Sequence, residues 1–210
     1  MVLGLDTCLN ACACAVVDDG RVLARAVEPM ARGHQERLAP LARDVMAEAG
    51  LPFDRLDRIG VTVGPGSFTG LRVGLAFAKG LAGALDAPLV GVGALEALAA
   101  GEPEALAFAA IDARRGQVYL QAFRDGAALM APDVLDLGTA AARIAEFHRG
   151  EPAVLVGSGG PLLAEVVPGA RLAPGEGCDP VAVAKIAAAR APTPVRPLYL
   201  RAPDARLPQA

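Results

Sequence analysis

The sequence predicts a mixed α/β protein of two lobes, on three observations. Three strand-like runs open the chain before any helix. Strand-like and helix-like segments then alternate, and Gly101-Glu102-Pro103-Glu104 breaks the pattern near the midpoint. The expected division is 1–101 for a first lobe, 102–190 for a reduced second lobe and 191–210 for a proline-rich tail. With 210 residues, 53% of them hydrophobic, the chain can bury a sizeable core. Aromatics are few and Trp is absent, so alanine carries much of that total and helices are expected to pack closely through small side chains.

The elements follow in order. Val2 to Leu5 reads as a strand ending in the polar pair Asp6-Thr7. Ala11 to Val17 and Arg21 to Val27 are strands joined across the hairpin turn Asp18-Asp19-Gly20. From His34 to Gly50 the period changes: Leu38, Leu41, Ala42, Val45, Met46 and Ala49 form one apolar stripe of a helix that Gly50 ends. Arg58 to Val63 is a strand, Leu71 to Leu85 a helix, Pro88 to Val92 a strand and Ala94 to Ala100 a short helix. Leu106 to Asp112 and Gln117 to Arg124 pair across Ala113-Arg114-Arg115-Gly116. Thr139 is read as the cap of a helix to His148, and Val154 to Val156 leads into the glycine corner Gly157-Ser158-Gly159-Gly160. Asp179 and Pro180 start a last helix in N-cap and N1 style, running to about Arg190.

The central corner is Gly64-Pro65-Gly66-Ser67-Phe68-Thr69-Gly70-Leu71-Arg72-Val73-Gly74, between a strand and a helix. Such a corner gathers backbone N–H groups and attracts phosphate in many folds. A Walker loop would need Lys after Gly70, and the dinucleotide fingerprint would need Gly at Thr69, so both motifs fail at a residue that touches phosphate. Ser67 is expected to cap the helix rather than act as a nucleophile, because no base is placed beside it. Within the helix, Gly70, Gly74, Ala78 and Ala82 share one face. Each glycine costs about 1 kcal/mol against Ala in a helix, so the stripe implies a close approach. It packs either on the chain's own sheet or on a helix of a partner.

Composition excludes several function classes. A net charge of −3 without a basic stripe or stacking aromatics leaves no footprint for direct nucleic-acid binding. No signal-like start and no apolar run of spanning length are present, so a soluble, cytoplasmic protein without membrane contact is expected. Cys8, Cys12, Cys14 and Cys178 lack the C-x2-C pairs of a zinc site and are expected to be buried, reduced thiols. The two histidines, His34 and His148, form no H-x-x-x-H pair, so no metal is expected. There is no G-x-S-x-G elbow and no paired carboxylates on one element. The turn charges Asp112, Arg114 and Arg115 read as a solvated hairpin end.

Three opening strands with Asp6 at the end of the first resemble an actin-like or sugar-kinase-like lobe, where an Asp-x-Gly pattern faces nucleotide phosphates. Here Cys8 stands where that glycine would be, and Asp6 has an alternative role in capping its own turn. A longer series carries a closer resemblance: Asp6-Thr7, Ala11-Cys12, Arg32-Gly33-His34-Gln35-Glu36-Arg37-Leu38-Ala39-Pro40, the Gly64 to Arg72 corner, Lys79-Gly80-Leu81, Asp112-Ala113-Arg114-Arg115-Gly116-Gln117-Val118-Tyr119 and Tyr199-Leu200-Arg201. In this order, over nearly the whole chain, it resembles the bacterial TsaB (YeaZ) family.

The resemblance implies an actin-like ASKHA (ribonuclease H-like) fold of two lobes with the second reduced. It implies a non-catalytic part in making N6-threonylcarbamoyladenosine at position 37 of tRNAs that read codons starting with A. The paralogue TsaD would transfer the threonylcarbamoyl group, and TsaE, an ATPase, would join them, with tRNA reached only through the complex. The two first-lobe helices would form the contact surface, as a homodimer alone or a heterodimer with TsaD, in a close-packed four-helix arrangement. Carried onto this sequence, the interface is His34, Leu38, Leu41, Val45, Gly66, Phe68, Gly70, Leu71, Arg72, Gly74, Leu75, Ala78 and Ala82, and Gly74→Leu would break assembly. No cofactor is implied beyond an adenine nucleotide bound weakly or at the interface. The alternative is a free-standing ATP-binding enzyme with a cleft at Asp6, Thr7, Gly64 and Gly159, in which the isolated chain would bind ATP and Asp6→Ala would cause a strong loss.

Overall fold

The structure, a computed structural model, describes residues 1–102 and 105–201. Pro103 and Glu104 of the expected break, and 202–210 of the expected tail, lie outside the described residues. In the first sheet, β1 (Val2–Asp6), β2 (Ala11–Asp18) and β3 (Arg21–Pro29) form an antiparallel meander. β4 (Arg58–Thr62) and β5 (Leu89–Val92) add in parallel beyond β1, giving the order β3-β2-β1-β4-β5. Helices α1 (His34–Glu48) and α2 (Phe68–Leu85) lie on this sheet, α1 over β2 and β3 and α2 over β4.

The second sheet has the order β11-β10-β6-β7-β8, with β9 (Asp133–Asp136) also on β7. Its hairpin is β6 (Leu106–Arg114) and β7 (Gln117–Arg124), and β8 is Ala127–Ala128. β10 (Ala153–Val156) and β11 (Arg171–Ala173) pair in parallel beside β6. Alternation along β6 splits two cores. Ala107, Ala109 and Ile111 join the first lobe's core, beside α3 (Ala94–Ala99). Leu106, Phe108 and Ala110 face the other way, toward Ile144 of α4 (Leu137–Phe147). Burial of a side chain such as Phe108 contributes roughly 1.5–3 kcal/mol.

The last helix, α5 (Pro180–Ala189), follows the second sheet in sequence but packs on β1, β4 and β2 of the first. The range 102–190 therefore does not map onto the second sheet alone. Glycines set this contact. A Cβ on Gly4 would sit 2.2 Å from the Pro180 carbonyl oxygen, and one on Gly60 would sit 2.6 Å from Ala187 Cβ. The Ala- and Val-rich helix thus lies almost on the strand backbone, and all five residues of β1, covered on both faces, are buried.

Most local readings hold. Asp19 and Gly20 take the left-handed values (φ 45° and 80°) of a two-residue hairpin turn, and Arg115 and Gly116 (57° and 70°) do the same between β6 and β7. The Asp179 carboxylate accepts from Val181 N–H at 3.1 Å as the expected cap of α5. Two helix starts differ. α2 begins at Phe68, three residues before Leu71, because Ser67 Oγ accepts from Gly70 N–H at 3.2 Å. α4 is capped by Asp136 rather than Thr139: the carboxylate accepts from Thr139 N–H at 3.0 Å and from its hydroxyl at 2.7 Å. Asp ranks above Thr as an N-cap, and here its carboxylate takes both Thr139 donors.

Candidate functional site

The two faces of α2 have opposite surroundings. Inward, Gly70, Gly74, Ala78 and Ala82 are buried with Leu71 and Leu75. A Cβ on Gly70 would lie 2.0 Å from the Thr7 carbonyl oxygen, and one on Gly74 would lie 2.5 Å from Thr7 Oγ1. The Thr7 hydroxyl donates to the Gly70 carbonyl at 2.7 Å, locking helix to strand end. The small-residue stripe therefore serves the chain's own sheet, the first of its two readings. Gly74→Leu would break the fold's own packing, so it cannot isolate a partner contact.

Outward, Phe68, Thr69, Arg72, Ala76, Gly80 and Gly83 are exposed. Among the described residues nothing lies within 4 Å of a Cβ built on Gly80 or Gly83. Val73 and Phe77 are half-buried along the same side. The face carries Arg72 and Lys79, and α2 contains no acid. Phe68 is 49% exposed, a large fraction for an aromatic at a helix start. The Arg72 guanidinium lies 3.7 Å from the centre of its ring, and Tyr199 stacks beside it at 5.4 Å between centroids. At the helix starts a hollow of about 390 Å³ is lined by Arg32, His34, Ser67, Thr69 and Val73 among others.

Asp6 is closed off. Its side chain is fully buried; one carboxylate oxygen accepts from Cys8 N–H (2.9 Å) and the Thr62 hydroxyl (2.7 Å), the other from Cys178 N–H (2.8 Å). Burial pushes the carboxyl above its ordinary range, against those hydrogen bonds, which favour the charged form. Its role is to tie the end of β1 to β4 and to the entry of α5. All four cysteines are free and buried. Burial raises the thiols of Cys8, Cys14 and Cys178, and that of Cys12 to about 11, so each stays protonated and unreactive at neutral pH.

The cleft between the lobes, about 490 Å³, is lined by Cys8, Asn10, Gly66, Ser67, Asp112, Arg114, Tyr119, Ser158 and Glu176 among others. Neither Asp6, Thr7, Gly64 nor Gly159 lines it. Gly64 faces Leu198, whose carbonyl oxygen would be 2.9 Å from an added Cβ, and Gly159 donates its N–H to the Ala110 carbonyl at 2.9 Å. The glycine corners thus pack on protein. Asp112 holds Arg114 through its backbone N–H (2.8 Å) and guanidinium (3.1 Å), and its own N–H donates to Ser158 Oγ at 3.1 Å. Among the described residues no group of three His, Cys, Asp or Glu could hold a metal ion, and no helix is long and apolar enough to cross a membrane.

Of the residues expected at an interface, Phe68 and Arg72 are exposed and Gly66 is half-buried at the cleft. His34, Leu38, Leu41, Val45, Gly70, Leu71, Gly74, Leu75, Ala78 and Ala82 are buried within the chain. In the isolated chain these ten pack inward, beneath the surface a partner would meet. His34 is a packing residue, 7% exposed, whose Nε2 has no hydrogen-bond partner among the described residues. The sequence reading missed Val73, Ala76, Gly80 and Gly83. Their signal was present as a second series three or four residues apart, facing away from the first stripe.

Comparison with known proteins places this architecture. A family model described as TsaD, tRNA N6-adenosine threonylcarbamoyltransferase, matches residues 23–154. The tRNA threonylcarbamoyladenosine biosynthesis protein TsaB of Escherichia coli (strain K12) is 37% identical over 122 residues, 56% of this chain and 52% of that protein. The aligned part thus spans about half the length of that relative. An uncharacterized protein of Mycobacterium tuberculosis is 36% identical over 207 residues, 98% of this chain and 93% of its own. Among solved structures, YeaZ from Pseudomonas aeruginosa superposes with a TM-score of 0.81 at 30% identity, covering 95% of this chain and 99% of that one. Near-complete coverage in both directions, on the two-lobed actin-like architecture described above, makes this chain a member of the TsaB/YeaZ family, within the wider group that the TsaD model describes.

Proposed function

We propose that the protein is a non-catalytic subunit in N6-threonylcarbamoyladenosine (t6A) formation at position 37 of tRNAs that read codons starting with A. It acts by docking on TsaD and activating it. The name of the E. coli relative supports the pathway. The observation that carries the mode of action is the contrast between the sealed Asp6 and the open outward face of α2. A carboxylate with three internal donors and no solvent exposure has no free lone pair directed at a substrate. A helix face of Val73, Ala76, Gly80 and Gly83 lets another helix approach to backbone distance. With Arg72 and Lys79 at its margin, that face suits a neutral or acidic partner helix.

In this reading the same face makes a homodimer when the chain is alone, so homodimer and TsaD heterodimer compete. TsaE joins the pair, and tRNA is met only through the complex. No cofactor belongs to this chain itself, and an adenine nucleotide enters only at the shared interface. Reconstitution with cognate TsaD, TsaE, ATP, threonine-derived adenylate and tRNA tests the proposal. The chain should be required for t6A formation, and Asp112→Asn at the cleft should leave the rate within twofold. Full modification without the chain, or nucleotide turnover by the chain alone that Asp112→Asn abolishes, would overturn it.

A further inference from the structure

The described end of the chain crosses from one wall of the cleft to the other. On the first wall, Leu198 N–H donates to the Val63 carbonyl at 2.7 Å, and Leu198's own carbonyl closes over Gly64. Tyr199 stacks on Phe68, and its hydroxyl accepts from Arg72 Nε at 3.2 Å. These contacts fall on both sides of Gly66 and Ser67, which line the cleft. On the second wall, Arg201 donates to the Ala113 carbonyl at 2.8 Å and to the Gln117 side-chain oxygen. Ala113 and Gln117 flank the hairpin tip that holds Arg114 at the cleft.

That tip is a segment in need of holding. Arg114 and Arg115 both take left-handed backbone angles, φ 65° and 57°, which non-glycine residues adopt at a cost. The ladder between β6 and β7 shifts register between Asp112 and Arg114, leaving Ala113 out of the pairing as a bulge before it resumes at Arg114 and Gln117. Arg201 supplies charge-assisted hydrogen bonds where the ladder does not.

We propose that Leu198–Arg201 is a strap that fixes the β6–β7 tip relative to the Gly64–Phe68 loop, with Arg201 a positioning residue for Asp112 and Arg114 at the cleft. The strap is anchored at Tyr199 and acts at Arg201, so loosening either end frees the tip. This inference does not depend on what docks on α2.

Hydrogen–deuterium exchange on the full chain tests it, comparing wild type with Arg201→Ala and Tyr199→Ala. Arg201→Ala should speed exchange across 112–119 by about tenfold or more, with β1 and α1 unchanged. Tyr199→Ala should speed the same segment although the ring and hydroxyl contacts it removes are to Phe68 and Arg72. Unchanged exchange at 112–119 in Arg201→Ala would overturn the proposal. A response in Arg201→Ala but not in Tyr199→Ala would reduce the strap to a local pin and overturn the coupling. If Arg201→Ala also loosens β1, Arg201→Lys becomes the readout; it keeps the charge but loses the two-point grip, and should still speed the tip alone. Exchange that rises equally in β1 and the tip for Arg201→Lys would also overturn the strap.

Discussion

The inner and outer faces of α2 are built from the same small residues for opposite purposes. Gly70 and Gly74 are small because the end of β1 occupies the space a side chain would need. Gly80 and Gly83 are small although nothing occupies that space, in a helix where Ala would be the more stable choice. A glycine under a strand is explained by the fold. On the proposed function, an exposed mid-helix glycine with open space above it leaves room for a partner helix. Small size alone is therefore ambiguous, and the surroundings decide what it means.

The largest effect should come from the inner face. Gly70→Ala places a methyl 2.0 Å from a backbone oxygen that no rotamer change can move, so a loss of at least about 3 kcal/mol is expected, measured by urea unfolding of the isolated chain. Gly74→Leu should unfold the chain similarly, since Thr7 Oγ1 can yield only by giving up its bond to Gly70. A stable Gly70→Ala monomer would erase the distinction between the faces. Next comes the anchor that seats this helix's strand. Asp6→Asn sets an amide N–H₂ against at least one of three donors and should cost about 1–3 kcal/mol in the same measurement.

On the outer face the sign reverses. Gly80→Ala should stabilise the isolated chain by about 0.5–1 kcal/mol, because it adds helix propensity without a clash. A destabilised Gly80→Ala would mean that the outer face is already covered within the chain.

The smallest effects are electrostatic. Arg124, donating to Glu151 at 2.7 Å, holds that carboxyl at about 2, and Arg37 likewise lowers Glu28. Their folded values lie below the unfolded ones, so their contribution is present above about pH 4 and is lost as the pH falls toward the folded values. Asp6 runs the other way. Its raised folded value means its contribution is present below the unfolded value and is lost as the pH rises through the folded one. Melting temperature should fall on acidification from pH 5 to pH 3, and Glu151→Gln should flatten that slope slightly. A steeper slope in Glu151→Gln would contradict the assignment.

How much of this was legible in the sequence depended on whether the signal was local. Strand and helix runs, the Asp19-Gly20 turn, the Ser67 cap and the Asp179-Pro180 start all rest on residues within a few positions of one another, and each was found. The return of α5 to the first sheet was not, because Gly4 and Gly60 reveal their purpose only when Pro180 and Ala187 are brought over them. Asp6 was placed correctly at a strand end, but its third donor, Cys178 N–H, lies far along the chain. The stripe on α2 was found by periodicity, which shows that residues share a face and is silent on which way the face points. The Arg201 grip on Ala113 is likewise long-range, and a tail rich in proline gives no local sign of it.

The most direct test of the central claim is size exclusion with light scattering on the chain mixed with cognate TsaD, wild type beside Gly80→Arg and Ala76→Arg. The outward face predicts a one-to-one complex for wild type and none for either variant, with both variants melting within about 2–4 °C of wild type when alone. A one-to-one complex that survives both substitutions would place the docking surface elsewhere and contradict the account.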